Sequence, residues 1–211
     1  MCLLTAALGL SAVFGFIKSN RATGNIVNNA TPAITTLREI RYQLSTIRRV
    51  DGFLLMCDNS QCTQKYVEKR KVAIAAFKAG MEAYSPMATA PAERELYEMA
   101  LKNANAYLVL SDQMSALDAA GKIQDAQHLL VADEASKTYN DALNEVQEDV
   151  ELKQQDGAKA GVQSIQLGHT LLLGISAMVA IKEKAVDGLA SHRRQPQDRK
   201  QMRTLFMEEG K

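Results

Sequence analysis

Four arginines, Arg38, Arg41, Arg48 and Arg49, lie close together in the first quarter of the chain. Arg41 and Arg48 are seven residues apart, so a helix would place them on one face. A guanidinium group presents a planar fork of donors that matches a carboxylate with two parallel hydrogen bonds. The cluster therefore indicates a site for a small carboxylate. For any single arginine, pairing with the chain's own acidic side chains or simple solvation is the commoner explanation.

Other residue types that carry chemistry are too scattered to form a site. His128, His169 and His192 are far apart, and none has a partner three or four residues away of the kind that helical zinc and di-iron sites use. The sequence contains no Cys-x-x-Cys-His for haem and no glycine-rich phosphate loop. The net charge is +1, and no run of basic residues interleaved with aromatics precedes the tail, which argues against nucleic acid. We expect a non-enzyme without metal or cofactor.

Two cysteines, Cys57 and Cys62, bracket a four-residue polar stretch that has the composition of a turn. A disulfide needs Cα atoms within ~7 Å, which the neighbouring ends of two antiparallel helices permit. In an oxidising compartment such a pair is expected to react. We therefore predict a Cys57–Cys62 disulfide, with two unpaired thiols as the alternative. The third cysteine, Cys2, has no partner nearby.

The elements that must position these residues are helices. Residues with high helix propensity dominate the middle of the chain, where glycine and proline are sparse. Apolar residues recur there at steps of three and four, the stripe of a helix packed in a bundle. The predicted helices cover residues 34–54, 67–84, 92–121, a short helical turn at 122–130 and a fourth helix from 133 onward. Gly157 and Gly161 form a weak point in the fourth helix. Four long helices with short loops predict an up-down-up-down bundle.

Two stretches without charge flank the bundle, residues 1–17 and 165–181. Each is about long enough to cross the ~30 Å hydrocarbon core of a membrane as a helix. The alternatives are a cleaved signal peptide for the first stretch and a buried core helix for the second. Basic residues follow the second stretch and none precedes the first, so the positive-inside rule places both termini in the cytoplasm.

We therefore expect four regions. They are transmembrane helix 1 at 1–17, a periplasmic four-helix bundle at 18–161, transmembrane helix 2 at 162–181 and a short basic cytoplasmic tail at 182–211. In an antiparallel bundle, Thr138 and Tyr139 on the fourth helix fall at a depth similar to that of Arg48, and so does Arg70 on the second. A hydroxyl pair opposite a guanidinium pair suits a di- or tricarboxylate. The predicted ligand contacts are Arg48, Arg49, Arg41, Arg70, Thr138 and Tyr139.

The order of span, bundle and span resembles the sensor half of methyl-accepting chemotaxis proteins over residues 1–181. The stretch AGKIQDA at 120–126 looks like the turn between their third and fourth helices. The stretch IRRVDG at 47–52 looks like the upper part of their first helix, where basic residues meet ligand. The resemblance implies a homodimer, a ligand near the membrane-distal end and a piston-like shift of the last helix. Residues 182–211 do not resemble the family's HAMP linker, so we expect the HAMP and signalling domains to be missing.

The expected function is that of a chemoreceptor sensor in the bacterial inner membrane, which binds an organic acid or amino acid and signals for chemotaxis. The apolar stripe at 34–54 also has the spacing of a coiled-coil seam, which favours a homodimer packed along the first helix. Two alternatives stay open. One is the input region of a histidine kinase or cyclase. The other is a membrane-tethered bundle that docks a protein partner and binds no metabolite.

Overall fold

The computed structural model describes the backbone of residues 2–208 and the side chains of residues 9, 12–181 and 184. Over the described backbone the chain is helical with short connections and no strand. The elements are α1 (Cys2–Asn25), a π-helical segment (Ile26–Ala30), α2 (Thr31–Leu54), α3 (Ser60–Tyr84), a 3-10 turn (Ser85–Met87), α4 (Pro91–Ala119), α5 (Ile123–Val131) and α6 (Asp133–Glu208). The predicted all-α four-helix bundle is confirmed.

The chain divides into two units, Thr23–Gly161 and a second formed by Met1–Ala22 together with Val162–Lys211. The first unit contains the bundle, in which α2, α3, α4 and the first part of α6 surround one apolar core. Its largest fully buried apolar side chains are Leu37, Ile40, Leu44 and Ile47 of α2, Phe77 and Tyr84 of α3, and Tyr107 and Met114 of α4. The core holds the four helices together, because burying each such side chain contributes about 1.5–3 kcal/mol.

The stripe that predicted α2 is confirmed as a buried face, but its neighbours are the chain's own helices. Leu37, Ile40, Leu44 and Ile47 are each at most 2% exposed within a single copy. These side chains are therefore not available as a seam for a second copy. Periodicity shows that a helix face is covered and does not identify what covers it.

One helix boundary differs from the prediction, since α3 begins at Ser60 rather than at residue 67. Val67, at the start of the predicted range, is 45% exposed, and the buried face of α3 runs through Ala73, Phe77 and Met81. The fourth helix continues towards the second apolar stretch as predicted, because α6 passes through Gly157 and Gly161 without a break. A glycine costs a helix only about 1 kcal/mol, and tertiary packing outweighs that cost.

The turn after α4 explains how the chain reverses towards α6. Gly121 has a φ of 73°, which lies in the left-handed region that favours glycine. The backbone N–H groups of Gly121 and Lys122 donate to the carbonyls of Asp118 and Leu117, each at 2.9 Å. These bonds satisfy carbonyls that the end of a helix leaves unpaired. The short helix α5 then leads into α6.

The second unit contains most of α1 and the later part of α6. Within it, the hydroxyls of Ser19 and Ser164 are hydrogen-bonded at 2.8 Å. Among the described residues, one helix, α6 over Asp133–Ile181, is long and apolar enough to cross a membrane by length and composition. Most side chains of the predicted span at 1–17, and those of the basic tail beyond residue 184, lie outside the described residues.

Candidate functional site

Arg48 reaches from α2 to the junction between α5 and α6. Its guanidinium donates to the carbonyl oxygens of Leu130 and Ala135, at 3.3 and 3.4 Å, and to the hydroxyl of Ser136 at 3.2 Å. It also lies over the ring of Tyr139, 4.8 Å from the centroid. All these partners are neutral, and no described carboxylate pairs with Arg48. The half-buried cation therefore has neutral hydrogen-bond acceptors but no neutralising charge.

The other two predicted arginines of α2 lie on different sides of that helix. Arg41 is exposed and donates to the side-chain oxygen of Gln147 on α6 at 2.9 Å. Arg49 is exposed on the side that faces α3 and donates only to Thr46 on its own helix, at 3.2 Å. The structure thus places Arg41 and Arg48 beside α6 and Arg49 beside α3.

Arg70 belongs to a buried polar network rather than to an open site. Its guanidinium pairs with Asp51 at 3.0 Å and with Asp112 at 2.6 Å, and it donates to the hydroxyl of Ser111. Asp51 is 2% exposed and also accepts hydrogen bonds from Tyr107 at 2.8 Å and from Ser111 at 2.7 Å. The network joins α2, α3 and α4 at one level of the bundle.

Burial governs the protonation of this network. Loss of solvent raises the pKa of the Asp51 carboxyl above its ordinary value, and the hydrogen bonds from Ser111, Tyr107 and Arg70 oppose the increase. Burial likewise raises the pKa of Tyr107, so its phenol stays protonated and donates to Asp51. The fixed donors and acceptors make the network a structural tie between helices.

Thr138 and Tyr139, on α6, differ in what they contact. The hydroxyl of Thr138 donates to the carbonyl of Glu134 at 2.8 Å, inside its own helix. Tyr139 lies between α2 and α4, with its hydroxyl 3.4 Å from Ser45 Oγ and its ring 5.4 Å from the ring of Tyr107. Of the six predicted ligand contacts, the structure brings Arg48 and Tyr139 into direct contact.

A cavity of about 630 Å³ opens between α2 and α3. Its lining includes Arg49 and two lysines of α3, Lys65 and Lys69. The rings of Phe53 and Tyr66 stack at its edge, with centroids 5.3 Å apart. Arg49 is the one predicted contact residue that lines this cavity.

The predicted cysteine pair lies at the turn between α2 and α3. The sulfur atoms of Cys57 and Cys62 are within bonding distance and the Cα atoms are 5.5 Å apart, inside the range for a disulfide. Asn59 begins α3 as its N-cap, since its side-chain oxygen accepts from the Cys62 backbone N–H at 2.9 Å. The Cys57–Cys62 disulfide stays a prediction.

The model of a known protein family, described as a four-helix-bundle sensory module for signal transduction, matches residues 1–167. The chain belongs to this sensory module family. The resemblance to the sensor half of methyl-accepting chemotaxis proteins is thereby confirmed. A sensory module of this kind implies a membrane receptor with a periplasmic domain, and its family is typically non-enzymatic. No curated protein matches the chain.

A second charged cluster lies towards the other end of the sensory module from the Cys57–Cys62 turn. Lys153 and Glu93 form an ion pair of 2.8 Å and are 4% and 3% exposed. Lys153 also donates to the carbonyl of Met87, and Glu93 accepts from the backbone N–H groups that precede α4. Asp149 and Tyr84 lie beside this pair and close to each other, and neither the carboxylate oxygens nor the phenol hydroxyl makes a well-aligned hydrogen bond.

Several buried polar residues of the sensory module escaped the sequence-based reasoning, although a signal for them exists. Asp51 follows Ile47 by four residues, Asp149 follows Val146 by three, and Lys153 follows Val150 by three. Each charged residue therefore falls on an apolar stripe, where an unpaired charge is costly and a partner is expected. The identity of the partner depends on the packing. Among the described residues no group of His, Cys, Asp or Glu is arranged to hold a metal ion.

Proposed function

We propose that the chain is the sensor region of a bacterial chemoreceptor, with its bundle in the periplasm and both termini in the cytoplasm. It binds a small anionic metabolite, an organic acid or amino acid, and signals across the inner membrane for chemotaxis. Support for the general role comes from family membership. Support for an anionic ligand comes from Arg48, a half-buried guanidinium held by neutral acceptors alone.

The contrast with Arg70 supports this assignment. Arg70 is neutralised by Asp51 and Asp112, so a ligand gains little by approaching it. The guanidinium of Arg48 makes hydrogen bonds of 3.2–3.4 Å to neutral groups. A ligand carboxylate would replace these hydrogen bonds with shorter, charge-assisted ones. Tyr139 contributes an aromatic face beside the guanidinium, and Arg41 provides a second cation towards α6. We place the ligand between α2 and the start of α6.

The same contacts supply a way to signal. Arg48 bonds to Ala135 and Ser136, which lie in the first turn of α6, and to Leu130 near the end of α5. A ligand that binds the guanidinium displaces its hydrogen bonds to these groups. Binding therefore changes how the N-terminal end of α6 is held against α2. A ligand shifts a conformational equilibrium only through such differential contacts. In this proposal α6 then moves along its axis.

A homodimer is part of the proposal and requires a surface other than the apolar stripe of α2, because that stripe is buried in the bundle. Cysteine cross-linking of the full chain in membranes, at exposed positions of α2 such as Arg38, Glu39 and Tyr42, should trap a dimer. Monomer alone at every position would remove the dimer from the proposal.

Thermal unfolding of the full chain in detergent, screened with organic acids and amino acids, tests the ligand. A ligand that binds only the folded protein raises the unfolding midpoint. Arg48→Ala should weaken the responding ligand by about thirtyfold or more, since breaking a buried charge-assisted pair costs ~2–5 kcal/mol. The matched control is Arg38→Ala, an exposed arginine of the same helix. No response to any compound in the screen would favour the alternative of a bundle that docks a protein partner.

A further inference from the structure

The cavity between α2 and α3 has the form of a small-molecule site. Its volume of about 630 Å³ falls within the range of known ligand pockets. Two buried apolar residues, Val50 at 4% exposure and Ala73 at 2%, contribute to its lining. Phe53 and Val72 add apolar surface that is 41% and 60% exposed. The cavity thus exposes apolar surface that no apolar side chain among the described residues covers.

The charge around the cavity is positive. Arg49, Lys65 and Lys69 line it together with a single carboxylate, that of Glu68. None of the three cations forms an ion pair among the described residues. The ammonium groups of Lys65 and Lys69 lie 5.7 and 5.3 Å from the centroid of the Tyr66 ring. Both cations are therefore held near the cavity by the aromatic face and lack a counter-charge.

An apolar lining together with unpaired cations fits a ligand with two parts. The apolar part covers Val50, Phe53 and Val72, and a carboxylate meets the lysines. A dicarboxylate lacks the apolar part, and a neutral hydrocarbon leaves the cations unpaired. A second copy of the chain fits poorly, because a two-fold interface centred here sets the same three cations against each other.

We propose that the α2–α3 cavity is a second binding site, distinct from the one at Arg48, for an amphipathic monocarboxylate such as an aromatic acid or a medium-chain fatty acid. Adjacent residues of α2 serve the two sites. Arg48 faces α5 and α6, whereas Arg49 lines the cavity next to α3. A ligand in the cavity joins α2 to α3, and a ligand at Arg48 acts on α6. The two ligands therefore do not compete for the same side chains.

The test is calorimetric titration of the full chain in lipid nanodiscs with benzoate, hexanoate and benzyl alcohol. Benzoate and hexanoate should bind, and benzyl alcohol, which lacks the carboxylate, should bind at least fivefold more weakly. The double substitution Lys65→Gln with Lys69→Gln should weaken the affinity for benzoate about tenfold. This change corresponds to the added free energies of two partly exposed charge interactions. Lys71→Gln with Lys78→Gln removes the same charge from exposed positions of the same helix and should change the affinity less than twofold.

A steric variant keeps the test independent of charge. Val72 is 60% exposed, so Val72→Trp fills the cavity without disturbing the core, and it should abolish benzoate binding. Far-UV circular dichroism checks that each variant is folded.

The proposal is overturned by an absence of benzoate and hexanoate binding at millimolar concentration, or by binding that both the lysine and Val72 variants leave unchanged. If Arg48→Ala removes benzoate binding and the cavity variants do not, benzoate binds at the site between α2 and α6. That result overturns the second site and leaves the proposed function standing. Loss of an inter-subunit cross-link in Val72→Trp, without benzoate binding, would make the cavity a homodimer contact instead.

Discussion

Asp149 should make the stability of the bundle depend on pH, and replacing it with asparagine should remove that dependence. The side chain is 1% exposed, and neither carboxylate oxygen makes a well-aligned hydrogen bond, although the Tyr84 hydroxyl lies close enough to interact. Burial raises the pKa of Asp149 from the ordinary 3.8 to about 6. The charge of Glu93 also raises this pKa, whereas Tyr84 and the charge of Lys153 lower it.

The sign and size of the effect follow from proton linkage. Because the folded state holds this proton more tightly than the unfolded state, the contribution of Asp149 to stability falls as pH rises from about 4 to about 6. Above pH 6 the contribution is constant. The pKa of Asp149 differs by about two units between the unfolded and the folded state. Each unit is worth about 1.4 kcal/mol, so the full loss of stability is about 3 kcal/mol.

Asp149→Asn leaves the Glu93–Lys153 pair electrically balanced and supplies a neutral side chain of similar shape. We expect the variant to be more stable than the wild-type chain at pH 7 by about 1–3 kcal/mol and to differ little from it at pH 4. The assay is denaturant unfolding of the full chain in detergent, followed by far-UV circular dichroism at pH values between 4 and 7. The stability difference between the two chains, plotted against pH, isolates Asp149 from Glu145, whose pKa burial also raises.

The matched control is Asp156→Asn, on the same helix at a side chain 51% exposed, which should give a difference curve that is nearly flat. A flat curve for Asp149→Asn as well, or a variant less stable than wild type at pH 7, would refute the reasoning. Either result would mean that the buried carboxylate is stabilised as an anion.

Peptides containing Cys57 and Cys62 should be joined when the full chain is digested without reductant, and quantitative alkylation of both thiols would rule out the disulfide and weaken the case for an oxidising compartment. A reporter fused after Lys211 should be active only in the cytoplasm, because basic residues follow the second apolar stretch; periplasmic activity would contradict the topology. Asp51→Ala should destabilise the bundle by about 3–5 kcal/mol in denaturant unfolding, since it removes the buried carboxylate that Arg70, Tyr107 and Ser111 share, whereas a loss below about 1 kcal/mol would show that the network does not tie the helices together.

The helices could be predicted from the sequence because their signals are local. An asparagine cap before α3 and a glycine after α4 mark boundaries that depend on neighbouring residues alone. The periodic apolar stripe of α2 likewise predicts a buried face, and the structure bears this out. The bundle therefore follows from capping and periodicity.

The contacts of the candidate site could not be predicted in the same way, because they depend on how helices face each other. Arg48 and Arg49 are adjacent, yet one helical step of about 100° sends the first to α6 and the second towards α3. Arg70 was grouped with the α2 arginines by depth, but two carboxylates from different helices neutralise it. Depth along a bundle is readable from the sequence, whereas the direction of a side chain around its helix requires the packing.

Since the first helix of the bundle packs against the last, the core cannot be completed until nearly all of the bundle has been synthesised. The hydrogen bond from Arg41 to Gln147 joins residues 106 positions apart. At roughly 5–20 residues per second, α2 emerges from the ribosome about 5–20 s before the part of α6 that covers it. During that interval α3, which follows directly, is its nearest partner along the chain. The order of synthesis thus favours an α2–α3 hairpin as the first structured piece, with α6 completing the core last.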